Sequence, residues 1–304
     1  MSRLYLITGF LGAGKTTFLK NFIKEFSGER IHLIVNEFGK EGVDGRILDE
    51  LGMVLDEINN GSIFCSCRLD KFEEVLEKAL VRQPDVIIIE ASGLSNPTNV
   101  RKILDQEGKF ESAEYMGSIC LIDAKQFLKV YGTAVVVKKQ IAVSDMVLIN
   151  KTDLATPETV ADIRKTIRNH RPDVPVYETT FGRIKKEWLD RMSEARGEDA
   201  DLMQSADITL RKYLLHIKEN QTLYTLQKFL EMFLIDTYRV KGILELQEGC
   251  YLISCTGEMF HAEVFKGSLG VTNDLVVLSG NGLPTKRAIK KAMEWYPDIA
   301  EIIK

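Results

Sequence analysis

The sequence predicts an α/β protein: a doubly wound, mostly parallel sheet over residues 1–200, and a second, smaller α+β domain over residues 206–304. Three observations carry this. Short β-branched runs alternate with amphipathic stretches through the first two-thirds of the chain, the pattern of strand–helix–strand units. That rhythm breaks near residue 185, where Lys185–Asp201 is polar and charged and holds Gly197. Beyond it, strand-like runs follow one another closely, with only two helical stretches between or after them. At 304 residues the chain also exceeds a typical single domain.

The elements follow in order. Leu4–Ile7, Ile31–Val35, Val86–Ile89, Ile119–Ile122 and Met146–Ile149 are short, continuous apolar runs, as expected of parallel strands buried on both faces. Val174–Tyr177 is a sixth. Thr16–Phe26, Lys71–Val81 and Thr156–His170 have helical periodicity. The last opens with Thr156-Pro157, an N-cap followed by proline at the first helical position. Lys185–Asp201 is expected to be a helix and a linker. In the second domain Ile208–Ile217 is a predicted strand and Leu223–Leu234 a helix. Val240–Leu246, Tyr251–Ser254, Phe260–Phe265 and Leu275–Leu278 are predicted antiparallel strands, and Lys286–Trp295 a closing helix.

Composition narrows the function classes. Hydrophobic residues make up 45% and charged residues 28%, enough apolar material for a normal core. The net charge is −4 with both signs mixed, which speaks against a nucleic-acid or membrane surface built on bulk charge. The apolar run at the N-terminus is cut off at Gly9, too early for a secretory signal. No stretch approaches the ~18 apolar residues of a membrane helix, so a cytoplasmic protein is expected. Five cysteines, an odd number, argue against a disulfide framework.

The chemistry-bearing motifs lie between these elements. Gly9-Phe-Leu-Gly12-Ala13-Gly14-Lys15-Thr16, followed by Thr17, fits G-x-x-x-x-G-K-[ST] in full. Its glycines let successive backbone N–H groups turn inward around phosphate oxygens, and the following helix adds its positive end. Lys15 would bridge the β- and γ-phosphates and Thr16 would hold Mg²⁺. Asn150-Lys151-Thr152-Asp153 follows the strand ending at Ile149. Guanine offers two adjacent donors, N1–H and the 2-amino group, and the two oxygens of Asp153 match them. Adenine has an acceptor at N1, which Asp153 would repel. Asn150 would support the loop or contact the base, and the Lys151 stem would cover a ring face.

Glu90-Ala91-Ser92-Gly93 follows another strand. Glu90 is placed to orient a metal-bound or attacking water, and the Gly93 N–H to meet the γ-phosphate. Asn36-Glu37-Phe38-Gly39 stands where a switch segment would respond to that phosphate; Glu41 and Asp44 beyond it read equally well as a solvated acidic loop. In Gly61-Ser62-Ile63-Phe64-Cys65-Ser66-Cys67-Arg68, two cysteines two apart can reach one soft metal ion if a further ligand comes from elsewhere; alternatively they are packing thiols. Cys120, Cys250 and Cys255 read as packing groups on strands.

The ordered set GFLGAGKTT, NEFG, NGSIFCSC, EASGL-x-x-P and NKTD resembles the CobW family of P-loop GTPases, relatives of HypB and UreG. The likeness extends through Arg239-Val-Lys241-Gly242 to the family's C-terminal domain. It implies a GTPase that binds GTP, GDP and Mg²⁺, with Lys15 and Glu90 at the catalytic centre and Gly12, Ala13, Gly14, Lys15, Thr16, Thr17, Gly93, Asn150, Lys151 and Asp153 around the nucleotide; with no glutamine evident to activate water and no evident internal arginine finger, slow basal hydrolysis is expected. It also implies delivery of Zn²⁺, Co²⁺ or Ni²⁺ or the servicing of a metallocofactor enzyme of corrinoid type, with a client metalloprotein docking on the C-terminal domain. A regulatory GTPase that binds no metal is the alternative. The family's C-x-C-C motif is altered here: aligned without gaps, its first two cysteines fall on Ser62 and Phe64, the third is Cys65, and Cys67 is extra. Cys65, Cys67 and Glu37 are the residues left to hold a transition metal.

Overall fold

The computed structural model describes residues 1–35, 54–57, 69–95, 97–98, 103, 110–194, 210–265, 271–280 and 282–303. The chain forms two compact units. One comprises Met1–Tyr131 and Val136–Ser205, the other Ala206–Lys304 with the short piece Gly132–Val135.

The first unit is built on a seven-stranded sheet: β1 Ser2–Gly9, β2 Ile31–Val35, β3 Val54–Glu57, β4 Val86–Glu90, β5 Ala113–Asp123, β6 Met146–Asn150 and β7 Val176–Glu178. The order is β3-β2-β4-β1-β5-β6-β7, and each pairing is parallel. The sheet is thus wholly parallel, where the sequence predicted mostly so. Alternate residues of the same strands enter two different cores. Tyr5, Ile7, Leu33, Val35, Ile88, Ile119 and Leu148 face one, while Leu4, Leu6, Ile34, Ile87 and Ile89 face the other. Burial on both faces is why the strands read as unbroken apolar runs.

Helices cover both faces. On the first lie α1 Lys15–Phe22 and, later in the chain, Lys186–Glu194 (α6) with its Met192. On the second lies α2 Leu69–Val81, which buries Phe72, Leu76 and Ala79. Between come α3 Phe127–Thr133, α4 Val135–Ala142 and α5 Pro157–His170. The predicted cap of α5 is present: Thr159 N–H donates to the Thr156 hydroxyl at 3.2 Å, and Pro157 opens the helix. The predicted helix Thr16–Phe26 divides into α1 and a 3-10 turn, Ile23–Phe26. Aromatic edges hold this pair to β1: Tyr5 meets Phe22 at 5.3 Å and 84°, and Phe22 meets Phe26 at 5.1 Å and 89°. Such contacts add about 0.5–1.5 kcal/mol each beyond their burial, and they fix the helix whose first turn closes the phosphate loop.

β1 sits where the winding reverses. β4, β2 and β3 lie to one side of it, and β5, β6 and β7 to the other. Ligands of open parallel sheets bind at this reversal, beyond the carboxyl ends of the strands.

The second unit is a six-stranded sheet, order β11-β10-β9-β12-β8-β13, antiparallel at each pairing. Its strands are β8 Leu210–Ile217, β9 Arg239–Leu246, β10 Gly249–Thr256, β11 Ala262–Val264, β12 Asp274–Gly280 and β13 Ala300–Ile302. One face packs on α7 Leu223–Glu231 and α8 Thr285–Trp295, with Leu215, Val240, Leu244, Ile253, Cys255 and Val277 meeting Leu226, Phe229, Leu230, Ile289 and Ala292. The predicted second domain is therefore of the α+β class, and β3 and β13 are additions to the predicted strands. No described helix is long and apolar enough to cross a membrane.

Candidate functional site

Four loops meet at the carboxyl ends of β1, β4, β6 and β7. The phosphate-loop motif leaves β1 at Gly9 and enters α1 at Lys15. Gly9, Gly12 and Gly14 have φ of 135°, 77° and 92°, backbone that side chains resist. Space is equally restrictive: a Cβ on Gly9 would lie 2.3 Å from the Leu121 carbonyl oxygen, and one on Gly14 would lie 2.5 Å from Asn150 Nδ2. Gly14 stands in the N-cap position, with no side chain capping the helix, and a helix N-terminus of this kind favours anions. Lys15 folds back over the loop and donates from Nζ to the Gly9 carbonyl at 3.0 Å and toward that of Phe10 at 3.5 Å. This lays a cation across the cradle. Thr16 is half-buried and Thr17 exposed at the same end.

The second loop follows β4. Glu90 is the last residue of that strand and is 7% exposed. Gly93 touches the phosphate loop so closely that a Cβ on it would be 2.7 Å from the Leu11 nitrogen. From behind, Gln140 of α4, fully buried, donates from Nε2 to the carbonyls of Gly93 and Ser95, both at 3.2 Å. Its Oε1 has no partner among the described residues. A water-sized cavity of about 20 Å³ lies there, lined by Phe10, Leu11, Cys120, Gln126 and Gln140 among others. Burial pushes the Cys120 thiol up to about 12, which marks it as a packing group. Cys255 is likewise buried, its thiol raised by burial to about 11; Cys250 is half-buried.

The third loop follows β6. Asn150, 1% exposed, uses both ends of its amide on the protein: Nδ2 donates to the Ala13 carbonyl at 2.9 Å, and Oδ1 accepts from the Gly182 N–H at 3.0 Å. Lys151 adopts φ 61° and pairs through Nζ with the nearly buried Asp123 carboxylate at 2.7 Å. Asp123 ends β5 directly beside Asn150, and its other oxygen accepts from the Lys125 N–H at 2.8 Å. This pins the lysine stem along the loop. Asp153 lies in the 3-10 turn Thr152–Leu154, exposed to solvent.

The fourth loop, Thr179–Gly182 after β7, was not anticipated from sequence. The Thr152 hydroxyl donates to the Thr179 carbonyl at 3.2 Å, Asn21 of α1 donates to the Phe181 carbonyl at 2.9 Å, and Asn150 holds Gly182. Gly182 has φ 62°, and a Cβ there would be 2.6 Å from Phe18 Cα, so only glycine fits against α1. Phe181 beside it is 64% exposed at φ 55°. The signal available in the sequence was a glycine four residues past the end of a short strand, in Thr179-Thr180-Phe181-Gly182.

Lys15, Gly93 and Asn150 are thus brought together, with Asp153 on the same rim. Asn36, Glu37, Phe38, Gly39, Glu41 and Asp44 lie outside the described residues, as does Gly61–Arg68 with Cys65 and Cys67. The latter segment follows β3 in the chain, as the other motifs follow their strands. Among the described residues, no group of three or more His, Cys, Asp or Glu side chains is clustered as metal ligands are.

Residues 3–178 match the family model for the CobW/HypB/UreG nucleotide-binding domain. The zinc chaperone YeiR of Escherichia coli (strain K12) is 28% identical over 293 residues, covering 86% of this chain and 89% of YeiR. The zinc chaperone YjiA of the same organism is 32% identical over 186 residues, 59% of this chain and 58% of YjiA. The zinc-regulated GTPase metalloprotein activator 1 of Schizosaccharomyces pombe is 30% identical over 206 residues, 64% of this chain and 48% of its own. Among solved structures, Zn(II)-bound YjiA GTPase from E. coli superposes with a TM-score of 0.50 at 21% identity, over 97% of this chain and 98% of that one, a likeness of fold. By its sequence over more than half its length, and by a wholly parallel sheet with the phosphate loop at its winding reversal, the chain belongs to the CobW/HypB/UreG family.

Proposed function

We propose that this protein is a GTP-binding switch that hydrolyses GTP slowly and couples its nucleotide state to delivery of a metal ion, zinc first among candidates, to a client metalloprotein. One observation carries the nucleotide part: the Asn150 side chain bonds the phosphate loop at Ala13 while the exposed Asp153 stands three residues on in the same loop. A carboxylate with two acceptor oxygens at that place suits the paired donors of guanine and opposes adenine. Lys151, held by Asp123, presents its aliphatic stem as one wall of the base site.

In this reading the Lys15 ammonium exchanges the Gly9 and Phe10 carbonyls for β- and γ-phosphate oxygens, and the N–H groups of Gly12–Thr17 hold the rest of the triphosphate. A side chain at Gly9 or Gly14 would collide with the protein, so glycine there keeps the curled main chain that phosphate oxygens need. Mg²⁺, held by the Thr16 hydroxyl, would supply charge neutralisation at the phosphate oxygens. The Gly93 N–H meets the γ-phosphate, and Glu90 at the tip of β4 orients the attacking water. Water attacks phosphorus, the bond to the β–γ bridging oxygen breaks, and GDP and inorganic phosphate leave.

The metal part rests on donor chemistry and on relatives described as zinc chaperones. Two thiols at Cys65 and Cys67, with the Glu37 carboxylate, would supply an S₂O donor set of the kind zinc takes. The departure at Ser62 and Phe64 favours the second reading, a GTPase that regulates a client without carrying metal itself. One experiment separates them: zinc titration and zinc-dependent GTP turnover of the wild type against Cys65→Ala/Cys67→Ala. The delivery reading expects both zinc affinity and zinc-stimulated turnover to fall in the variant. Equal values in the two proteins would remove metal from the account.

A further inference from the structure

Helix α8 carries its charge unevenly. Its inner side, with Thr285, Ile289 and Ala292, is buried in the core of the second unit. Its outer side presents Lys286, Arg287, Lys290, Lys291 and Glu294, all exposed, around an open surface hollow of about 580 Å³. At about 100° per residue these five share one arc of roughly 140°. Trp295, one turn beyond Lys291 on the same flank, is 72% exposed. Four cations against one carboxylate leave a net +3 on this face, in a chain of net charge −4.

Local forces do not account for that face. Lys286 and Lys290, and Arg287 and Lys291, are like charges four residues apart, and each such pair costs a helix a few tenths of a kcal/mol. None of the four forms a salt bridge among the described residues, whereas Lys228 of the neighbouring α7 is paired with Glu231 at 2.7 Å. An exposed tryptophan and an arginine are residue types enriched at interface centres, while the lysines around them suit a charged, solvated rim.

We propose that this face docks an acidic polypeptide segment of a partner protein, with Arg287, Lys286, Lys290 and Lys291 pairing its carboxylates and Trp295 covering an apolar side chain next to them. Charge complementarity selects the occupant. Cations one helical turn apart are about 6 Å from each other, close to the roughly 6.6 Å between same-side residues of an extended chain. The face from Lys286 to Trp295 is only about 14 Å long, too short for the many phosphate contacts on which nucleic-acid affinity depends, and the rest of the chain is acidic.

The test uses the full chain without nucleotide, so that its outcome is independent of the GTP reading. A fluorescein-labelled twelve-residue peptide of alternating glutamate and leucine is titrated by anisotropy, beside the same peptide with glutamine for glutamate and an oligouridylate of equal charge. The expected result is binding of the acidic peptide, at least tenfold weaker for the glutamine peptide and for Lys286→Glu/Arg287→Glu/Lys290→Glu/Lys291→Glu. Trp295→Ala is expected to lose threefold or more. If circular dichroism shows the fourfold variant unfolded, Lys286→Gln/Lys290→Gln takes its place with an expected threefold loss. Absence of peptide binding, equal binding by the folded charge variant, or tighter binding of the oligouridylate would overturn the proposal.

Discussion

The Asn150 amide joins two loops that do not otherwise adjoin in sequence: it donates to the Ala13 carbonyl at 2.9 Å and accepts from the Gly182 N–H at 3.0 Å. Both of its partners are backbone groups in a buried setting, so truncation leaves each unsatisfied at about 1–3 kcal/mol. Asn150→Ala is expected to weaken GDP and GTP binding together by roughly tenfold to a hundredfold. Equilibrium titration with a fluorescent guanine nucleotide checks this. Undiminished affinity would show that the two loops hold their positions without the bridge.

Base selection is assigned to the Asp153 carboxylate, and inosine triphosphate isolates it because that base lacks the 2-amino group. The wild type is expected to bind inosine triphosphate about tenfold more weakly than GTP, the worth of one charge-assisted hydrogen bond. In Asp153→Ala the two nucleotides are expected to bind alike. A preference for GTP that survives in the variant would move guanine recognition elsewhere on the rim.

Gln140 holds the carbonyls of Gly93 and Ser95 from within the core. Gln140→Met keeps the volume and removes both donors. Stability is expected to fall by about 1–3 kcal/mol in denaturant unfolding. GTP turnover should fall while GDP affinity holds within about threefold, because in the proposed reading the Gly93 N–H meets the γ-phosphate, which GDP lacks. Turnover equal to wild type would show that the loop needs no support from α4.

Cys120 and Cys255 offer a pH test of the core. Burial raises their thiols to about 12 and about 11, so both remain protonated in the native protein at pH 8 and are poor nucleophiles. A disulfide-exchange reagent should modify them only after unfolding. The sign of the linked stability follows. The unfolded thiols ionise near about 8.5, so this contribution is complete below that pH and is lost as pH rises toward the folded values. Unfolding midpoints should therefore decline between pH 8 and 10, and decline less in Cys120→Ala. Rapid labelling of Cys120 in the native protein would contradict the burial of β5.

How far the sequence could be read depends on what each segment buries. β1, β2 and β4 are enclosed by both cores, β6 is buried along its whole length, and their apolar runs announced them. β3 offers only Val54 and Leu55 before Asp56 and Glu57 at the sheet's edge, too little to separate a strand from a loop. β5 starts at Ala113, six residues before the predicted Ile119, because its first half, Ala113–Met116, is only partly buried and its register slips opposite Leu4 and Tyr5. In the site, the phosphate loop and Asn150–Asp153 were legible because their chemistry fixes residue types. Thr179–Gly182 was not, since it contributes through backbone carbonyls and the space Gly182 leaves for Phe18. The Gln140 strap was equally hidden, being a long-range contact from the middle of a helix.

The central claim is that the main chain of Gly12–Thr17 and the Lys15 ammonium hold a guanosine triphosphate, and calorimetric titration tests it directly. With Mg²⁺ present, GTP should bind the wild type saturably at one site, ATP should fail to compete, and Lys15→Ala should bind GTP about thirtyfold more weakly or less well still. No heat of binding with GTP, or equal affinity for GTP in Lys15→Ala, would contradict the account.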